Sequence, residues 1–174
     1  MPRPPVLCRP AAGPADAALH HRIRHEVFVL EQEVFPICDV DANDASDLTI
    51  KVLAWAGDEA GGAVRLYPLG DGRWQGDRLA VLPPFRAWNL GGALVRFAVA
   101  AAARLDGVEM IAHVQEANVR FFERLGLVRR GDPEIYVGLP HQVMAIDLTA
   151  ATAPDPGWAP STRQPAAGRS PARP

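Results

Sequence analysis

At 174 residues, with 48% hydrophobic and 22% charged side chains, the chain has the size and composition of one globular domain. A formal net charge of -2 gives no basic footprint for a nucleic-acid partner, and two cysteines, Cys8 and Cys38, are too few for a disulfide framework and lack metal-ligand spacing. The opening MPRPPVLCRPAAG has no apolar leader, and the longest apolar run, Phe97–Ala103, is far short of a membrane span, so a reduced, cytoplasmic setting without membrane contact is expected. Lys51 is the only lysine; with Ala and Pro also abundant, the arginine bias reads as genome composition rather than as a ligand signal.

No internal repeat is visible, and composition changes sharply near Leu148. Residues 1–148 are expected to hold the folded domain. Residues 149–174, rich in Ala, Pro, Gly, Ser and Arg, are expected to form a disordered tail. Within the domain, Val6–Arg9 reads as a short strand, and Asp16 as the cap of a helix from about Ala17 to Leu30 with Leu19, Ile23, Val27 and Phe28 on its apolar face. The acid-rich stretch that follows, with Asp39, Asp41, Asp44 and Asp47, reads as a solvated loop. Strands at Leu48–Trp55, Ala63–Leu69 and Trp74–Leu82, joined by short Gly-rich links, make an antiparallel meander. A helix running through Leu105, a strand at Met110–Val114, a helix from about Ala117 to Leu125 and a strand at Gln142–Leu148 complete the order. The fold class is α/β (α+β), with a mixed, mostly antiparallel sheet of about six or seven strands and about four helices.

The stretch RLAVLPPFRAWNLGGALVRFAVAAAARL carries the clearest chemistry. A strand passes through a proline-marked turn into a glycine-bearing loop and then a long Ala-rich helix. Loop amides and the first unpaired N–H groups of that helix converge on one point, with the positive end of the helix dipole behind them. Such a device binds pyrophosphate. It is neither a Walker loop, since no Gly-Lys-Ser/Thr follows, nor a dinucleotide G-x-G-x-x-G.

Arg86-x-x-Asn89-x-Gly91-Gly92, led in by Val81-x-Pro83-x-x-Arg86, resembles the Q/R-x-x-G-x-G/A signature of the GNAT superfamily of N-acetyltransferases. Asn89 stands where the first glycine normally does and is the best substitute if that position needs positive φ. NVRFFERLGLV resembles the family's N-x-x-A-x-x-x-Y-x-x-x-G-F element, with Asn118, Gly126 and Leu127 as its matches, and Phe122 where many members keep a tyrosine that protonates the departing thiolate. RHEVFVLEQEVF and GLPHQVM are similar to elements of GNAT proteins encoded in nitrilase-associated bacterial gene clusters.

The resemblance implies acetyl-CoA, or another acyl-CoA, as co-substrate, no metal, and a small amine as acceptor, attacking the thioester directly; it leaves a homodimer open. It implies a cofactor site of Leu79, Ala80, Val81, Arg86, Ala87, Trp88, Asn89, Leu90, Gly91, Gly92, Asn118 and Phe122. For the proton steps the candidates are Asp77, His113 and His141. Asp77 is expected on the same strand face as Gln75, Leu79 and Val81, and its structural role would be an ion pair with an arginine. Phe28, Glu31, Gln32 and Tyr136 are expected around the acceptor. Two other readings stand beside this one. The absent tyrosine suits a non-catalytic acyl-CoA-binding protein, and Arg24, Phe28 and VRLYPL resemble acyl-homoserine-lactone synthases, which lack a loop of the Arg86–Gly92 type.

Overall fold

The structure is a computed structural model and describes residues 3–150. The segment expected to be a tail therefore falls, from residue 151 onward, outside the described residues. The chain runs β1 (Val6–Pro10), α1 (Gly13–His25), a π-helical turn (Glu26–Glu31), a 3₁₀ turn (Ala42–Ala45), β2 (Ile50–Ala56), β3 (Glu59–Gly70) and β4 (Arg73–Val81). A 3₁₀ turn (Pro83–Trp88) leads into α2 (Leu90–Arg104), then β5 (Glu109–Gln115), a second short turn (Glu116–Asn118), α3 (Val119–Arg124), β6 (Val128–Arg129), β7 (Glu134–Tyr136) and β8 (Leu139–Asp147). The mixed sheet and its helices are those expected; the eight strands exceed the expected number because β6 and β7 are too short to leave a periodic signal. No helix among the described residues is long and apolar enough to cross a membrane.

Strand order is β1-β2-β3-β4-β5-β8-β6, with β7 on β8. The meander turns tightly through Asp71 and Gly72, both at positive φ, as a two-residue Asp-Gly hairpin requires. Every pairing is antiparallel except β4 with β5. That parallel pair is also brief: register holds only from Arg73–Glu109 to Gln75–Ile111, and the two strands then diverge.

The sheet divides the core. On one face α2 buries Leu90, Leu94, Phe97, Ala98 and Ala101 against Val52, Val64, Leu66, Trp74 and Met110. On the other, α1 and the π-helical turn after it bury Ile23 and Val27 against Leu53, Ala63 and Ala80. Asp16 is not the cap of α1, which starts earlier at Gly13; its carboxylate instead accepts from the Ala12 amide and pairs with Arg9.

Inside β4, Arg78 has φ of 54°, and the register on β3 slips between Ala63 and Arg65, so Val64 has no partner across the pair. This is a bulge, and it reverses the alternation of faces beyond it. Leu79 and Val81 consequently lie with α2 and Ala80 with α1, whereas Asp77 lies on the α1 side with Arg65. The expectation that Asp77 shares a face with Leu79 and Val81 is thus corrected, because simple period-two counting assumes no inserted residue.

The acid-rich segment is also not a solvated loop. Asp39 is 2% exposed, and it meets the fully buried Arg24 through Nε at 2.7 Å. Asp44 takes Arg24 at 2.6 Å and Arg65 at 2.8 Å, and Arg65 reaches Asp41 at 2.7 Å and Asp77 at 2.7 Å. Burial by itself would raise the Asp44 carboxyl, but hydrogen bonding and charge from Arg24, with help from Arg65, hold it well below the usual carboxylate range. Two buried guanidiniums need these acids, since an unpaired buried cation is far more costly than a paired one.

His20, wholly buried on α1, gives its Nε2–H to the carbonyl of Val64, the residue the bulge leaves unmatched. Desolvation pushes its imidazolium down to about 3. The unfolded chain therefore takes a proton there below about pH 6.5 while the folded protein does not, and stability falls as pH falls from that value toward 3. Between about pH 6 and pH 5 this one group should contribute a slope of roughly 1 kcal/mol per pH unit. His21, lowered in the same direction by burial, adds to the trend. Urea denaturation across that range should show the slope and its reduction in His20→Gln; equal slopes would remove His20 as the cause.

Candidate active site

Where β4 and β5 part, a cleft of about 570 Å³ passes through the sheet. Its α2-side walls include Leu79, Val81, Gly91, Gly92, Asn118, Phe121 and Phe122, and its α1-side walls include Phe28, Gln32, Asp77, His113, Tyr136 and His141. Two kinds of chemistry thus meet from opposite faces at the break.

On the α2 side, the Pro83–Trp88 turn is seated by Phe85, whose ring fills the place a Cβ on Gly61 would take, 2.2 Å from its Cγ. Trp88 packs edge-on to that ring at 5.4 Å. Asn89 then adopts φ 60°, ψ 29°, the left-handed conformation anticipated for it, and its side chain makes no capping hydrogen bond to α2. The first amides of a fifteen-residue helix are left without a side-chain acceptor, at the positive end of its dipole. A Cβ on Gly92 would lie 2.6 Å from Asn89 Oδ1, so a larger residue there would displace the Asn89 side chain. At Gly91 a Cβ would meet Phe121 at 3.4 Å and Val81 at 3.7 Å, both ordinary contacts, and the residue lines the cleft. These amides fit a pyrophosphate group.

Leu82 gives its N–H to Gly61 on β3, and alternation then turns the amides of Leu79 and Val81 toward the open edge. Of the other expected cofactor residues, Arg86 and Asn89 line the cleft, Ala80 and Leu90 point into packed interior, and Ala87 and Trp88 belong to the turn. Arg86 gives Nε to the Val81 carbonyl at 3.1 Å and pairs with Glu31 at 2.5 Å. Glu31, expected around the acceptor, is thus tied to the loop and does not line the cleft. Asn118 and Gly126 are one helical turn closer together than in the motif they resemble, and α3 is correspondingly only six residues long. Phe121 and Phe122 both line the cleft, their rings 5.1 Å apart.

On the α1 side, His113, Tyr136 and His141 are brought together. Tyr136 stacks on His113 with centroids 4.2 Å apart and meets His141 edge-on at 5.4 Å. His113 has both nitrogens engaged, Nε2 with Glu134 at 3.0 Å and Nδ1 with the Gln75 amide at 3.4 Å. His141 is different. Its Nδ1–H donates to the Leu139 carbonyl at 2.9 Å, which fixes the tautomer and leaves Nε2 as an acceptor with no hydrogen-bond partner among the described residues. Asp77, by contrast, is 2.7 and 2.8 Å from Arg65, one contact on each oxygen, and also accepts from Tyr67. Burial, reinforced by the Asp77 charge, pushes the Tyr67 phenol up.

Sequence reasoning missed Arg65, Gln75 and Glu134. The first had a signal, an arginine inside an apolar strand; the others depend on cross-strand neighbours that only the register reveals.

A sheet opened at its one parallel pair, with a helix N-terminus at the break, defines an acyltransferase fold. Residues 19–127 match the sequence model of the acetyltransferase (GNAT) family, and the chain belongs to that family. Its fold is similar to that of a Lactobacillus plantarum protein provisionally described as an N-acetyltransferase, at 23% identity and a TM-score of 0.74, covering 82% of this chain and 98% of that one. An acyl-CoA N-acyltransferase from Pseudomonas aeruginosa is similar at 25% identity, with a TM-score of 0.68 and coverage of 81% and 97%. BjaI, a CoA-dependent acyl-homoserine lactone synthase solved with SAM and isopentyl-CoA, is similar at 19% identity, with a TM-score of 0.68 and 83% of each chain covered. No curated protein is significantly similar in sequence.

The left-handed backbone at residue 89 makes a measurable demand. Asn89→Gly should leave stability within about 0.5 kcal/mol, whereas Asn89→Ala should cost about 1 kcal/mol, the penalty of an ordinary side chain in that conformation. Denaturant melts of the two variants distinguish this from a general intolerance of the site.

Proposed function

We propose that the protein is an acyl-CoA-dependent N-acyltransferase that moves an acyl group, acetyl at the smallest, onto a small amine. The observation that carries this reading is the alignment of the uncapped α2 amides with a cleft that crosses the sheet to the unpartnered Nε2 of His141. The amides of Gly91 and Gly92 would hold the pyrophosphate, Asn118 and Phe122 would flank the pantetheine arm, and Phe28, Gln32 and Tyr136 would border the acceptor. The fold accommodates acyl groups other than acetyl, as the isopentyl-CoA complex of BjaI illustrates.

An amine with a pKa near ~10 arrives protonated and must lose that proton before it attacks. His141 is assigned this task, through Nε2 directly or through one water. Attack forms the C–N bond, and the thioester oxygen gains charge against the amides of Leu79 and Val81. The C–S bond then breaks, and the thiolate leaves past Phe122, which has no proton to give. A CoA thiol is acidic enough to leave without a tyrosine. The nitrogen gives up two protons, one to His141 before attack and one as the C–S bond breaks; of these one ends on the thiolate and the other in solvent. His113, held between Gln75, Glu134 and Tyr136, is assigned to positioning this aromatic group, and Asp77 to holding Arg65.

Acetyl-CoA should raise the melting temperature of the wild type and not of Gly91→Val, whose branched side chain blocks backbone approach while the surrounding space tolerates a first carbon. Equal shifts in both would move the cofactor elsewhere. In an acyl-transfer assay over an amine panel, Phe122→Tyr should stay within a few-fold of wild type, and His141→Ala should lower kcat by more than ~10-fold, as acid–base groups do. A rise in acceptor KM alone would assign His141 to binding, and binding without turnover over the whole panel would leave an acyl-CoA-binding protein.

A further inference from the structure

The cleft does not end at the break in the sheet. Beneath α2 it continues toward the paired end of β4 and β5, between Val95, Ala98 and Val99 of the helix and Met110 of β5, as far as Val64 of β3. All of these walls are aliphatic or thioether, and Val64, Ala98 and Met110 are otherwise part of the main core. Small residues open the space. α2 presents Ala98 where a longer side chain would close it, and the Met110 thioether lies over Gly76, 3.1 Å from where a Cβ would stand.

Unfilled apolar volume inside a packed core lacks partner atoms and is destabilising. Water is a poor occupant, since a buried water needs two or more polar partners and these walls offer none. An acetyl group held by the amides of Leu79 and Val81 would reach no further than the break. Resting on the acyl-CoA reading above, we propose that the group this protein transfers is a short aliphatic acyl chain longer than acetyl, its tail lying between α2 and Met110. Methionine, flexible and polarizable, is suited to closing such a channel over chains of differing shape.

Calorimetric titration of the full chain with CoA, acetyl-CoA, butanoyl-CoA and hexanoyl-CoA tests this without knowledge of the acceptor. Each methylene buried should tighten binding about fourfold. Hexanoyl-CoA should therefore bind at least ~10-fold more tightly than acetyl-CoA, with butanoyl-CoA between them. Ala98→Leu, or Ala98→Val should leucine unfold the protein, should bring that ratio close to one. Equal wild-type affinities for acetyl-CoA and hexanoyl-CoA, with both binding, would overturn this proposal alone. A wild-type preference unchanged by filling at Ala98 would overturn the placement of the tail. Failure of CoA itself and of all three thioesters to bind would overturn the acyl-CoA reading together with it.

Discussion

The left-handed backbone at Arg78 is the constraint around which the site is organised. One inserted residue in β4 swaps the faces of the strand, so Gln75 and Asp77 face α1 before it, whereas Leu79 and Val81 face α2 after it. Without it Leu79 and Val81 would lie on the α1 side. The bulge also leaves Val64 unmatched, and His20 meets its carbonyl from α1. The side chain of Arg78 lies over the Phe35 ring at 4.7 Å and reaches Asp39 at 3.4 Å and Asp41 at 3.3 Å. An arginine in an unusual backbone conformation thus fastens the acid-rich loop beside the opening it helps to create.

That loop closes the α1 side through charge rather than through apolar packing. Arg24 and Arg65 are both wholly buried, and their partners come from the 3₁₀ turn, from the preceding loop and from β4. Such clusters contribute less to net stability than their short distances suggest, because desolvation offsets much of the attraction. Their effect is positional: a guanidinium accepts few arrangements of carboxylates, so the loop has few places to sit. The α2 side is the reverse, an Ala-rich helix on aliphatic strands, with glycines where backbone must be bare.

The halves of the molecule differed in how far they could be read from residues alone. The strand-to-helix loop was legible because its chemistry is local: a proline turn, Asn89 in a glycine's place and two glycines occupy consecutive positions, and each has one physical reason. The meander was legible for the same cause, with Asp71 and Gly72 marking its tightest turn. The α1 side was not. Asp39 and Asp44 look like surface residues until Arg24 and Arg65, distant in sequence, are seen to need them. The bulge had no marker, since arginine is not a residue that announces positive φ. The two-residue β6 and the three-residue β7 fell below the length at which periodicity can be recognised.

The bond between Arg86 and Glu31 joins two segments fifty-five residues apart, one at the loop before α2 and one at the end of the π-helical turn that carries Phe28. The hydrogen bond from Arg86 keeps the Glu31 carboxyl below its ordinary range, so the pair stays charged through the neutral region. On the acyl-CoA reading, an anion seated on the loop amides would compete with Glu31 for the same guanidinium. A ligand that displaced Glu31 would free a carboxylate at the end of the turn that carries Phe28, and linkage would make any coupling equal in both directions. A single exposed ion pair, worth little as a brace, would then serve as the link between that loop and the turn.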